Sequence, residues 1–317
     1  MTKPMFPPAV DSTFLAALRS CPMKAFRTYV EHWKPKRESV HLVAGGAFAK
    51  GLEESRDAFY VKGLSQQDAE AVGLTALIKA YGDFECPADS AKSLERMCGA
   101  LEFYYDAYPF ATEAATPSLI GGKRAIEFSF AEPLPILHPQ TGEPLFYTGR
   151  TDQIVDFAGG VYVEDDKTAS QLGASWGRQW EMRSQFTGYI WAAQQAGINA
   201  QGALVRGVSI LKTKYDTQQA VTYRSPYELD RWYQQTLRDV KRAIQMWEEG
   251  YWDYNLDHAC AEYAGCSLVQ VCKSSSPEPW LEMNFEKRVW DPLARREVTV
   301  AEWEEQWLGK SQGITED

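Results

Sequence analysis

Asp152, Asp165 and Lys167 are the residues whose types and spacing can do chemistry in this sequence. They lie in GRTDQIVDF (149–157) and VYVEDDK (161–167), two stretches of strand character joined by Ala158-Gly159-Gly160. A glycine turn that short reads as an antiparallel hairpin. Side chains alternate faces along a strand, so Asp165 and Lys167, two apart, point the same way. Asp152 sits on the neighbouring strand, across the turn, where it can approach both. Gathering two carboxylates and an amine in an apolar core is costly. A divalent cation resolves that cost, because hard cations take oxygen ligands. Such an ion polarises a phosphoryl oxygen and lowers the pKa of a bound water. The lysine then orients that water or stabilises charge on the phosphorane. Asp-x-Lys alone is common, and a surface hairpin with acidic side chains is the other reading.

The surroundings of the hairpin narrow the choice. GRTD, VEDDKT and QFTGY resemble the RecB-like branch of the PD-(D/E)XK nuclease superfamily, which reads G-x-x-D, D-x-K-T and then Q-x-x-x-Y on the following helix. The matching residues are Gly149 to Asp152, Asp165 to Thr168, and Gln185 with Tyr189. Gln185 and Tyr189 are four apart and share one helix face. The resemblance implies that this face looks onto the active site and the DNA. It spreads from Cys21 to Cys272 and implies a catalytic set of Asp152, Asp165, Lys167, Gln185 and Tyr189. The implied cofactor is Mg²⁺ or Mn²⁺, and the implied partner is DNA, single-stranded or at duplex ends. The branch also carries G-x-x-x-H-x-x-x-E upstream. The matching stretch is GGAFAKGLE (45–53), with Ala49 where the histidine ligand would stand. Glu53 then joins Asp152 and Asp165 as a candidate metal ligand, directly or through water, or else serves as a capping or salt-bridging residue. Glu127 is a further candidate. His32, His41, His138 and His258 match no motif.

The cysteines carry a second resemblance. Cys21 stands in SCPMKAFRTYV, while Cys260, Cys266 and Cys272 recur every six residues. RecB-like nucleases, including CRISPR-associated exonucleases, place one cysteine near the N-terminus and three after the nuclease core. In those proteins the four hold a 4Fe–4S cluster, for which thiolates are the usual ligands. The common C-terminal spacing there is C-x2-C-x5-C, whereas this chain has C-x5-C-x5-C. A four-thiolate zinc site and plain buried thiols remain the other readings. Cys86 and Cys98 match nothing and read as structural thiols.

The elements that must position these residues follow from periodicity. Residues 11–32 read as helical, capped by Asp11 or Ser12 and interrupted by Pro22. Further helices are expected over 44–62, 66–82 and 90–108. Strands are expected over 124–131, from Leu145, through the hairpin, over 203–211 and at 219–224, with helices at 176–196 and 226–249. From about residue 253 the tail reads as irregular, with little apolar periodicity to hold it by burial alone. The resulting fold class is α/β: a restriction-endonuclease-like core, a central mixed sheet flanked by helices, with an N-terminal helical region and a C-terminal cysteine-bearing tail. The expected division is residues 1–120, 121–250 and 251–317.

The 317 residues carry 44% hydrophobic and 24% charged residues and a formal net charge of −10, ordinary values for a globular protein but not for one that coats DNA by phosphate attraction alone. An acidic site can still reach phosphate through bound cations. The basic clusters Lys34-x-Lys36-Arg37 and Lys212-x-Lys214 read as solvated faces. No stretch approaches a membrane span, and the N-terminus has no signal-peptide run, so a cytoplasmic protein is expected. No G-x-x-x-x-G-K-[ST] appears, so the nuclease stands alone or works with a separate recombination partner or as a homo-oligomer. The alternative from another class is a catalytically inactive DNA-binding or scaffold protein that kept the fold.

Overall fold

The computed structural model describes residues 3–256, 258–261, 265–291, 293, 296–300, 302–303 and 305–306. In chain order, β1 (Ala9–Val10), α1 (Ser12–Ser20), α2 (Pro22–Ala25) and β2 (Trp33–Pro35) precede three longer helices, α3 (Val40–Arg56), α4 (Gln66–Tyr81) and α5 (Leu94–Ala107). The short strands β3 (Thr116–Pro117), β4 (Leu119–Ile120) and β5 (Lys123–Arg124) lead into β6 (Ile126–Leu137), β7 (Pro144–Phe157) and β8 (Gly160–Ala169). Then come α6 (Ala174–Arg178), α7 (Ser184–Gln195), β9 (Ala200–Ile210), β10 (Tyr215–Tyr223) and α8 (Pro226–Glu249). The tail adds α9 (Val269–Lys273), α10 (Glu278–Asn284), β11 (Phe285–Lys287), β12 (Val289–Asp291) and β13 (Arg296–Val298).

The chain divides into two compact units. One holds residues 1–37, 130–149 and 230–317, and the other holds 38–129 and 150–229. The second unit carries the hairpin. Its strands β7 and β8 pair antiparallel, β8 and β9 parallel, and β9 and β10 antiparallel, so the sheet is mixed. Ala158 and Gly159, both at positive φ (48° and 80°), form the two-residue turn of the β7–β8 hairpin. Two positive φ values in succession are the mark of a type I′ turn, whose twist matches that of the strands it joins. Strand β9 is buried along nearly its whole length, as a central strand covered on both faces should be.

Helices α3, α4 and α5 each start on a serine cap, at Ser39, Ser65 and Ser93, whose hydroxyl accepts a first-turn N–H. Together they build the largest apolar cluster, including Phe48, Leu52, Leu77, Met97, Leu101 and Tyr104. Gly51 and Gly73 let α3 and α4 cross closely: a Cβ on Gly73 would stand 2.8 Å from the Gly51 carbonyl oxygen. Helix α3 extends through a π-helical turn at Asp57–Val61, which accounts for the expected helix running on to residue 62.

In the other unit, Asp11 caps α1 by accepting from the N–H groups of Thr13 and Phe14. Pro22 opens α2 as a first-position proline, so the expected helix 11–32 is two helices followed by a π-helical turn at Phe26–Val30. The tail departs from expectation. Leu268, Val271, Leu281 and Phe285 form a small core with Trp33 and Cys266, and β11 pairs antiparallel with β2, Phe285 opposite Pro35. The tail is therefore held in part by apolar burial, using side chains that its own local periodicity does not announce.

Two further expectations are corrected. The stretch 144–157 is one strand rather than two, because Gly149 is accommodated without a break. The helix expected over 176–196 is two, α6 and α7, separated at 179–183. Among the described residues no helix is long and apolar enough to cross a membrane.

Candidate active site

Strand β8 has two chemically different faces. Glu164 and Asp166 point to the side on which α3 and α5 pack, and both are buried. Arg56 from α3 binds them together, Nη2 on Glu164 at 2.9 Å and Nη1 on Asp166 at 2.8 Å. Tyr104 from α5 donates to Asp166 at 2.7 Å and accepts from Arg56 at 3.0 Å. Arg206 from β9 reaches Glu113 at 2.9 Å and Glu164 at 3.4 Å, with its guanidinium 4.2 Å from the Tyr108 ring centroid. Gln153 of β7 adds a donor to Glu164 at 3.0 Å. Burial would strip the charge from either arginine, but the surrounding acids hold both pKa values above the ordinary arginine range. This face is a closed ion-pair network.

The other face holds Asp165 and Lys167, as alternation requires. They form a direct ion pair. The last antiparallel pair between β7 and β8 is Gln153 opposite Glu164. Beyond it, Asp165 to Ala169 keep register with β9. The N–H of Asp166 is then taken by the Asp152 carboxylate at 2.8 Å. Asp152 thus reaches the centre by replacing a ladder partner with its own side chain. From α7, Gln185 donates to Asp165 at 3.4 Å and to the Tyr189 hydroxyl at 3.1 Å. The structure therefore brings Asp152, Asp165, Lys167, Gln185 and Tyr189 together, from two strands and a helix.

Electrostatics on this face are unbalanced. Burial, then the nearby charges of Asp165 and Asp166, push the Asp152 carboxyl well above its ordinary range. Burial raises Asp165 as well, against the pull of Lys167. For Lys167, burial works to lower the pKa, but Asp165 and Asp152 outweigh it and raise it, so the side chain stays an ammonium. A third of that side chain is open to solvent, enough to meet a substrate. Tyr189 is pushed up to about 12, first by burial and then by Asp165, so it stays a phenol.

Glu127 belongs to the same electrostatic field. Its carboxyl is raised to about 7, first by burial, with Arg150 opposing and Glu53 reinforcing the shift. Arg150 pairs with it at 2.6 Å. Glu127 also sits at φ 52°, a left-handed conformation that costs a non-glycine residue energy and concentrates at functional positions. Glu53 makes an ion pair with Lys50 at 2.8 Å, so its salt-bridging reading has a partner in the structure. Among the described residues no three Asp, Glu, His or Cys side chains already converge to hold an ion. What fits a divalent cation is the donor set and its charge: buried carboxylates that repel one another beside one protonated lysine.

The residues that sequence reasoning missed are Arg56, Tyr104, Glu113 and Arg206, together with Lys92, whose ammonium donates to Thr168 at 2.9 Å. A signal was present in VEDDK itself. Glu164 and Asp166 must face away from Asp165, and two acids on the inner side of a buried strand require cations.

The four candidate cluster cysteines all lie in the unit that contains the N-terminal residues, and all are free thiols. Met23 donates to the Asp253 carbonyl at 2.9 Å and Asn255 to the Ser20 carbonyl at 2.7 Å, which sets the tail beside Cys21. Cys266 N–H donates to the Cys260 carbonyl at 3.0 Å. Burial raises the Cys272 thiol, and Cys266, Cys21 and Cys260 raise it further. Among the described residues, however, no three of these thiols converge to hold a metal.

With this geometry in view, comparison with known proteins places the chain. Residues 13–273 match the family model of the PD-(D/E)XK nuclease superfamily. The chain belongs to that superfamily. The mixed sheet with flanking helices is its restriction-endonuclease-like core. Among solved structures, the chain is similar to a candidate exonuclease from Eubacterium rectale, at 11% identity and a TM-score of 0.46, over 78% of this chain and 85% of that one. It is also similar to the protein SSO0001, at 14% identity and a TM-score of 0.29, over 63% and 73% of the two chains. Among curated proteins none matches.

Two measurements probe this electrostatic division. Glu164→Gln should destabilise the fold by about 3 kcal/mol in urea titrations, because it takes from both buried arginines the carboxylate they share. Asp152→Asn should leave stability equal or higher, since it removes a repelled charge and keeps an acceptor for the Asp166 N–H. If both variants lose stability alike, the two faces are not electrostatically distinct.

Glu127 supplies the pH dependence. A carboxyl raised from 4.5 to about 7 favours the folded state fully below pH 4.5 and loses that contribution as pH rises through 7. In EDTA, wild type should therefore lose up to about 3 kcal/mol from this group between pH 5 and 8. Glu127→Gln should show a flatter profile over the same window. Parallel profiles would place the Glu127 pKa in the ordinary range.

Proposed function

We propose that this chain is a metal-dependent deoxyribonuclease of the RecB-like branch, acting as an exonuclease on DNA ends in recombination, repair or phage DNA processing. The observation that carries the reading is the meeting of Asp152, Asp165 and Lys167 on one face, with Gln185 and Tyr189 closing over them. Asp152 and Asp165 would hold Mg²⁺ or Mn²⁺, and Glu127, with Glu53 beside it, offers the carboxylates nearest in charge to stand in for the histidine replaced by Ala49. When bound, the ion supplies Lewis-acid polarisation of a phosphoryl oxygen and a more acidic water. Lys167, held protonated by its two acid neighbours, donates to the attacking water or to the non-bridging oxygens as their charge grows. It cannot serve as the base in that state. Gln185 orients Asp165 and the Tyr189 hydroxyl, which keeps the donor face in register with β8.

We assign Cys21, Cys260, Cys266 and Cys272 to a 4Fe–4S cluster. Four free thiols in one unit suit such a cluster by their chemistry, and binding it would have to draw them together, since among the described residues no three of them converge to hold a metal. The cluster would be a fastener and not part of the cleavage step. The small core around Leu268 and Phe285 adds a second, metal-independent fastening.

Asp152→Ala, Asp165→Ala and Lys167→Ala should each lower cleavage of end-labelled DNA by at least about a thousandfold, in the range expected for lost transition-state charge stabilisation. EDTA should abolish cleavage and Mn²⁺ should restore it. Gln185→Ala and Tyr189→Ala should slow cleavage without preventing metal binding. A well-folded protein that binds DNA and cuts none in either metal would instead identify an inactive scaffold.

Protein purified without oxygen should be brown, with broad absorbance near about 400 nm from thiolate-to-iron charge transfer. Each of the four cysteine-to-serine variants should lose the colour, while Cys86→Ser and Cys98→Ser keep it. Colourless protein with stoichiometric zinc would replace the cluster by a zinc site.

A further inference from the structure

A cavity of about 350 Å³ lies in the unit that contains the N-terminal residues. Its walls include Phe14, Tyr29, His32 and Trp303, with Lys34 and Arg288 as the cations. Phe14 and Tyr29 meet edge to face at 5.7 Å, and His32 and Trp303 at 4.8 Å. The one acid in the wall, Asp11, accepts from the Thr13 hydroxyl and from two N–H groups at the start of α1. Glu286, opposite Lys34 in the β11–β2 pairing, holds the Arg288 Nε at 3.0 Å.

His32 is the unusual member. It is only 7% exposed and stands at φ 63°, a conformation that a histidine adopts at a cost. Its carbonyl accepts from the Arg288 N–H at 3.1 Å, so the strained backbone is fixed between β2 and β11. Neither ring nitrogen has a hydrogen-bond partner among the described residues. The ring lines a space large enough for a ligand. The field of Lys287 and Lys34 adds to burial in keeping the imidazole neutral, so one nitrogen donates and the other accepts.

Aromatic walls suit a flat ring, two cations suit an anion, and a neutral imidazole suits the polar edge of a heterocycle. The volume falls at the small end of the range for ligand pockets, about 300–1,000 Å³, which suits a single nucleotide and not a duplex. We propose that this cavity binds one 5′-phosphorylated nucleotide, with the phosphate against Lys34 and Arg288 and the base among Tyr29, His32 and Trp303. The choice of a nucleotide among flat anions rests on the nuclease reading. Its source is either a released mononucleotide or the terminal nucleotide of a strand.

Calorimetric titration of the full chain in EDTA tests this without any cleavage step. The probes are dAMP, deoxyadenosine, inorganic phosphate, and a short oligonucleotide with or without a 5′-phosphate. One dAMP should bind per chain, with deoxyadenosine and inorganic phosphate each weaker by about tenfold or more. Lys34→Gln and Arg288→Gln should weaken dAMP binding by about tenfold. His32→Asn, which tolerates the same backbone conformation, should weaken dAMP and deoxyadenosine alike, with circular dichroism confirming that the fold is retained. Competition by the phosphorylated oligonucleotide alone would assign the strand end, and lack of competition the free product. No dAMP binding at millimolar concentration, binding unmoved in all three variants, or inorganic phosphate binding as tightly as dAMP would overturn the proposal. None of these results bears on cleavage, so loss of this site and loss of the nuclease reading are separable.

Discussion

The site depends on the arginine that binds Glu164 to Asp166. Two carboxylates in a buried strand are tolerable only with cations at hydrogen-bond distance, and Arg56, with Tyr104 and Arg206, supplies that contact. With Asp166 clamped by its side chain, its N–H is fixed in space, and that N–H holds Asp152. The placement of Asp152 is therefore inherited from an ion pair on the opposite face of the strand. On one face of β8 each acid is ion-paired with an arginine inside the protein. On the other, burial raises both Asp152 and Asp165, the charge of Asp165 raises Asp152 further, and Lys167 is the cation beside them.

This arrangement explains the mix of rigidity and need in one short strand. The acids of one face are part of the ion pairs that hold α3, β8 and β9 together, while Asp152 on the other is raised by burial and by its acid neighbours. The opening of the β7–β8 ladder beyond Gln153 serves the same end, since a continued ladder would leave the Asp166 N–H no call on the Asp152 side chain.

Much of this was legible in the sequence, and the illegible part has physical reasons. Alternation along VYVEDDK put Asp165 and Lys167 on one face, and the four-residue spacing put Gln185 and Tyr189 together; both are local rules. The partners of Glu164 and Asp166 come from positions 56, 104 and 206, and no local period links them. The left-handed backbone of Glu127 has no signal in Ile126 and Phe128 beside it, neither of which is a glycine or a turn former. The tail looked unsupported because its core borrows Trp33, more than two hundred residues away. The single helix expected over 176–196 failed because tertiary packing overrode a helical pattern between residues 179 and 183.

The pairing of β2 with β11 has a consequence for synthesis. Chains emerge from the ribosome N-terminus first, and compact units fold as their residues become available. The unit holding the VEDDK strand is complete in sequence once Leu229 has emerged. Trp33 to Pro35 must wait until Phe285 to Lys287 follow before they find their partner strand. During that interval residues 33–35 are without their partner strand, although the unit that holds Asp152 and Asp165 can already be folded.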